Sequence, residues 1–158
     1  MISAELAALF RRDIARLIQE LRAFPDTESI WKTAPGVSNA AGTLALHLEG
    51  NLREYIGRQL GQVGYTRDRP LEFSARGVAR DELIARLDAV RASIPAVIAA
   101  LSSEQLDATY PENVLKTPLS TRQFLMHLLG HFNYHLGQVD YLRRFVTGDD
   151  AIGLAQLE

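Results

Sequence analysis

Three of the chain's four histidines, His127, His131 and His135, recur every fourth residue within Ser120 to Val146, STRQFLMHLLGHFNYHLGQVDYLRRFV. That spacing is helical: at about 1.5 Å per residue each ring stands roughly 6 Å above the last on one side of the rod. Local signals bound the helix. Ser120 with Gln123 has the form of a capping box, and Pro118 keeps the preceding chain extended. At the other end Thr147 and Gly148 follow the last periodic residue, and Arg143 and Arg144 face the negative end of the helix dipole.

Phe124, Leu128, His131, His135, Gln138, Leu142 and Phe145 alternate spacings of four and three, the period of helices packed in a bundle. This stripe predicts core positions for His131 and His135 and leaves His127 about 40° to one flank of His131. One metal ion takes imidazole nitrogens at about 2.0–2.1 Å and cannot join His127 to His135, about 12 Å apart along the axis. An adjacent pair is required, and the stripe favours His131 with His135. Buried rings need polar partners, and a shared cation would satisfy both.

The rest of the chain supplies the bundle. Leu6, Leu9, Phe10, Leu17, Ile18 and Leu21 predict a first helix from Ser3, as N-cap, to about Ala23, after which Trp31 covers the core. A second helix, capped by Ser38 or Asn39 and running to about Leu60, carries Leu44, His47, Leu48, Asn51, Leu52 and Tyr55 on one broad face. His47 thus adds a third nitrogen from another helix, the number catalytic zinc sites use while leaving one position open. Carboxylates fit that face poorly, since Glu49 points away and Glu54 lies at its margin. Asn51 and Gln138 are the candidates to hold the ring nitrogens that face away from an ion, and His127 is a further supporting or entrance residue.

The stretch from Gly61 to Arg80 contains QVGYTRDRPLEFSARG, long enough to have a function of its own and to cross the bundle, placing the third helix parallel to the second. Arg67 and Arg69 within it are candidate contacts for an anionic substrate. The third helix, from about Asp81 to Leu101, repeats Leu83, Leu87, Val90, Ile94, Val97 and Leu101, with Pro95 as a kink, and offers packing without chemistry. SSEQL forms a short turn before the histidine helix, and the tail from Asp149 is expected to be loose or docked in an oligomer.

At 158 residues and 47% hydrophobic content, the expectation is a single domain over 1–158. The absence of cysteine excludes thiolate metal sites and a cysteine nucleophile. A net charge of −2 without a basic cluster argues against a nucleic-acid partner. No stretch approaches the ~20 apolar residues of a membrane span and the first residues lack a signal pattern, so a soluble cytoplasmic protein is expected.

LALHLEGNLREYIG around His47, YTRDRPLEF from Tyr65 to Phe73, and HFNYHLGQVDYLRR from His131 together resemble the DinB/YfiT-like superfamily of metalloenzymes over nearly the whole chain. The resemblance implies an all-α four-helix bundle with long crossover connections, often a homodimer. It also implies a divalent ion, Zn²⁺ or Ni²⁺, held by His47, His131 and His135. Some relatives are thiol-dependent transferases or isomerases, which implies a small-molecule substrate and a low-molecular-weight thiol. Many members carry Arg directly after the last ligand, where this chain has Leu136. Three functional readings follow: a metal-dependent enzyme that activates a thiol or water for transfer or hydrolysis, a non-catalytic dimeric stress or ligand-binding bundle with a structural metal, and a plain four-helix interaction module with buried neutral histidines.

Overall fold

The computed structural model describes residues 1–153. In chain order the helices are α1 (Ile2–Arg22), α2 (Thr27–Ile30), α3 (Ala41–Leu52), α4 (Arg69–Ser74), α5 (Arg80–Ala99), α6 (Ser103–Asp107) and α7 (Thr121–Thr147), with a π-helical segment, Arg53–Arg58, prolonging α3. No strand occurs among the described residues, and none of their helices is long and apolar enough to cross a membrane. The four longest helices form an all-α bundle. Its core joins Leu6, Phe10, Ile14, Leu17 and Leu21 of α1 to Leu83, Leu87, Val90, Ile94 and Ile98 of α5 and to the inner faces of α3 and α7. Each such side chain contributes about 1.5–3 kcal/mol when fully removed from water.

Paired contacts give the directions. Glu49 meets Arg86 and Gly57 faces Ile94, so α3 with its extension runs parallel to α5, as the long connection between them permits. Asp13 meets Asn133 and Glu20 meets Arg143, so α1 and α7 are parallel as well. His47 meets His131 while Asn51 and Tyr55 share a cleft with Phe124, so α3 and α7 are antiparallel. The bundle is therefore up, down, down, up, with the one crossover in residues 59–79.

The histidine helix begins as expected: Ser120 Oγ accepts from the Gln123 N–H at 3.2 Å, and Gln123 Oε1 accepts from the Ser120 N–H at 3.0 Å. Gly148 closes it at φ 76°, the left-handed conformation that favours glycine. Its inward face differs from the expected stripe. Leu125, Leu128, Phe132, Leu136, Val139 and Leu142 are buried, His131 and His135 stand partly buried at the margin, and Phe145 is 65% exposed. The reason is that α7 packs on α1 as well as on α3, and the second neighbour draws the Phe132–Leu136 side inward.

Other expectations are corrected in the same way. Ser3 lies buried in the first turn of α1, whose N-cap is Met1. Neither Ser38 nor Asn39 caps α3; Ala40 occupies that position without a side-chain bond. All twelve residues of α3 are buried, not one face of it, because α4, α5, α7 and Trp31 surround it. Small residues permit the crowding, Gly42 lying under the Trp31 ring, 2.8 Å from where a Cβ would stand. The π-helical segment was not legible in the periodicity. There the Gln59 N–H bonds to the Glu54 carbonyl, five residues back, which frees the Tyr55 carbonyl to accept from Tyr110 Oη at 2.7 Å.

In α5, Ile98 and not Val97 is the buried residue. The tail as far as Gly153 docks on its own chain: Arg143 donates to the Asp150 carbonyl at 2.9 Å, and Arg16 donates to the carbonyls of Ile152 and Gly153. The remainder of the expected tail lies outside the described residues.

Arg143 and Glu20, both almost wholly buried, are joined at 2.5 Å, and Arg16 reaches the other Glu20 oxygen at 3.0 Å. Removing one partner strands a buried charge, typically costing about 3–5 kcal/mol. Glu20→Leu, which removes the buried carboxylate shared by Arg143 and Arg16, is expected to fall at the lower end of that range in urea unfolding because Arg143 keeps Asp140 at 3.4 Å, and the double variant Glu20→Leu/Arg143→Met to lose less than the single one. Equal stability of Glu20→Leu and the parent would refute the assignment.

Candidate metal centre

His47 sits in the middle of α3, and the antiparallel contact with α7 brings it opposite His131 and His135. His47 Nε2 lies 3.2 Å from His131 Nε2. The ring centroids are 4.6 Å apart for His131 and His135, 5.1 Å for His47 and His131, and 5.3 Å for His47 and His135. One ligand atom from each ring lies within 4.8 Å of the others. Two nitrogens on a tetrahedral ion with bonds of ~2.0–2.1 Å stand about 3.3–3.4 Å apart. The His47–His131 separation is thus close to one edge of such a polyhedron, and the donor set can hold a metal ion.

The opposite ring nitrogens are held. His135 Nδ1 lies 2.7 Å from Gln138 Oε1, one of the two contacts expected of Gln138 and Asn51. Asn51 lines the adjoining cleft, but none of the described hydrogen bonds joins it to a ring. The acceptor for His47 comes instead from α4: Nδ1 lies 3.0 Å from Glu72 Oε2. A carboxylate only accepts, so Nδ1 carries the proton and Nε2 keeps its lone pair facing His131. His131 Nδ1 is buried without a partner among the described residues.

The carboxylate beside His47 thus comes from outside the helix that carries the ring, as Glu72 of α4. Glu72 lies in the long connection, where Asp68 accepts from the Leu71 N–H at 3.0 Å and caps α4 with Pro70 in its first turn. Asp-x-Pro is a helix-start signal, and it could have been found. Gly50 makes room for the carboxylate: a Cβ there would collide with Glu72, whose Cδ would lie 2.8 Å away. The carboxylates of α3 and of its π-helical extension are engaged elsewhere, Glu49 with Arg53 and Arg86, and Glu54 with Arg58.

Arg67 lines the cleft, but its guanidinium grips Glu72 at 2.7 and 2.9 Å. Its charge is spent within the protein, unlike the free substrate contact anticipated for it. Arg69 is exposed at the same cleft, its guanidinium 5.1 Å from the Phe73 ring centre. His127 is exposed there too, stacked on Phe124 at 6.0 Å between centroids.

Burial pushes the His131 pKa down to about 4, with the neighbouring His135 and His47 adding to the effect. Burial also lowers His135, against the opposing hydrogen bond to Gln138. Burial alone would raise Glu72, but its bonds from His47 and Arg67 prevail and hold it below the ordinary carboxylate range. His131 and His135 are therefore neutral at pH 7, the form that ligates metal, beside an ionised Glu72.

Among curated proteins none matches the sequence. Among solved structures, a DinB-like protein from Bacillus cereus shares 18% identity at a TM-score of 0.70, covering 91% of each chain. A conserved protein from Enterococcus faecalis shares 19% at 0.70, covering 94% of this chain and 96% of its own. At these identities the likeness is one of fold. The sequence model of the mycothiol S-transferase family matches residues 5–148.

Two outcomes test this geometry. Between pH ~6.5, the unfolded histidine value, and about 4, the unfolded chain binds a proton on His131 that the folded chain does not. The metal-free protein should therefore lose stability as pH falls through that window and hold it above. Glu72, depressed when folded, adds its loss only at lower pH. Urea midpoints at a series of pH values will show this, with a shallower fall in His131→Asn. Separately, Gly50→Ala and Glu72→Ala should each weaken metal binding by about 10–100-fold in calorimetric titration, the usual effect of losing a ligand's orienting partner.

Proposed function

The chain belongs to the mycothiol S-transferase family, within the DinB/YfiT-like superfamily, and on that premise we propose that it is a divalent-metal-dependent S-transferase acting on a low-molecular-weight thiol of the mycothiol type. The observation that carries the reading is the convergence of His47, His131 and His135 from two packed helices, with one ligand atom of each within 4.8 Å of the others. Three imidazole donors suit Zn²⁺ or Ni²⁺ and leave a position for a reactant. A bound divalent ion there would acidify a thiol or water.

The protein's own residues do the rest. Glu72 fixes the His47 tautomer and Gln138 orients His135. Because Arg67 neutralises Glu72, the donor set brings no net negative charge, which preserves the acidifying effect of the cation. Arg69 and His127 at the cleft mouth hold the polar or anionic part of the thiol. In the transfer a sulfur lone pair forms the new carbon–sulfur bond, the bond from carbon to the leaving group breaks, and the leaving group departs with that electron pair. The thiol proton passes to water, since no carboxylate is among the described residues lining the cleft. The assembly we propose is a homodimer.

A competing reading, a structural metal in a non-catalytic bundle, makes the opposite forecast on chelation. Protein purified without a polyhistidine tag should carry close to one Zn²⁺ or Ni²⁺ per chain by elemental analysis, and His47→Ala and His131→Ala should carry none. EDTA should empty the site while the far-ultraviolet circular dichroism persists. Unchanged metal content in His131→Ala would refute the centre, and collapse of helicity with EDTA would favour the structural role.

A further inference from the structure

A cavity of about 500 Å³ lies between residues 34–39 and the last turns of α7. Its apolar walls include Val37, Leu44, Leu142 and Phe145, and its polar groups include Asn39 and Gln138. None of the described residues lining it is charged at neutral pH, in a chain of which 23% of residues are charged. The cleft beside His131 has the opposite character, being lined by Arg67, Arg69, Asn51 and His127. The two openings share no lining residue and lie to either side of the histidine pair on α7. His131 lines the polar cleft, while Gln138, bonded to His135 Nδ1, lines the apolar cavity. Val37 and Phe145 are 41% and 65% exposed at the rim, apolar surface that packing of the bundle does not cover.

We propose that this cavity seats the second substrate of the transfer, an uncharged electrophile with an apolar body and a hydrogen-bonding group placed to meet the Gln138 amide. This rests on the S-transferase reading. That reaction needs two molecules with their reacting atoms adjacent, and the two openings divide them by chemistry. A polar thiol suits the cleft where Arg69 is exposed, so the electrophile takes the apolar side. The volume is that of a small-molecule site. Its occupant is neutral because an ion placed there would lose its water and find no opposite charge. Attack by the sulfur lone pair forms the carbon–sulfur bond and expels the leaving group with its electron pair, as above; the cavity contributes orientation and exclusion of water.

The probe is N-phenyl-1-naphthylamine, a neutral apolar fluorophore, titrated into metal-free and Co²⁺-loaded protein. One molecule should bind per chain in both forms. Phe145→Asp and Val37→Asp, at exposed positions and checked for helicity, should weaken binding by about tenfold or more by placing an unpaired carboxylate against the ligand. Arg69→Ala and His131→Ala should bind the probe as the parent does. Failure of the metal reading, seen as unchanged metal in His131→Ala, is therefore distinct from failure here. Occupancy should also shift the Co²⁺ d–d bands in the parent and leave them unmoved in Gln138→Leu. No saturable binding, or equal binding in Phe145→Asp, overturns the proposal. So does binding that appears only when the protein is diluted to monomer, which would mean that a second copy covers the cavity.

Discussion

The antiparallel contact of α3 with α7 is the constraint on which the site depends, because it places polar rings against a bundle core. Imidazoles there lose water on one side, and each needs a partner on the other. Glu72 answers for His47 and Gln138 for His135, while His131 keeps a buried nitrogen without a partner among the described residues. The cost of that arrangement is met by the apolar cluster around it, chiefly Leu44, Leu48, Leu128 and Phe132. Its consequence is chemical: burial keeps His131 neutral and its lone pair available, with His47 Nε2 only 3.2 Å away.

The crossover between α3 and α5 does more than connect. By folding α4 back over α3 it delivers Glu72 and Arg67 as a pair, one facing His47 and the other neutralising it. Gly50 is the condition for that approach, since any side chain there would push the carboxylate off the ring. Phe73 then covers the same ring at 4.9 Å between centroids. The parallel course of α3 and α5 is thus tied to the chemistry, because only a long return path leaves enough chain to supply this support.

The same placement gives the site two unlike surroundings. Toward the N-terminal half of α7 the cleft carries arginine and histidine; toward its C-terminal half the walls are aliphatic and aromatic. The division arises because α7 passes its polar margin along the crossover and its apolar margin along the loop before α3.

Much of this could be read from the chain alone. The capping box of Ser120 and Gln123, the four-residue histidine ladder, the inward His47 and the short helix at Ser103 are local or periodic signals, and each acts through backbone hydrogen bonds or side-chain direction within one helix. The exact inward face of α7, the encirclement of α3, the π-helical turn at Arg53–Arg58, the docked tail and the partnership of Glu72 with His47 and Arg67 were not legible. Each depends on which helices become neighbours, and periodicity describes a helix's faces without saying how many of them will be covered. The sequence by itself determined four helices and the donors they carry. Only the tertiary structure decided which donors meet, because 25 residues separate Glu72 from His47 and 84 separate His131 from it, and nothing but packing brings them together.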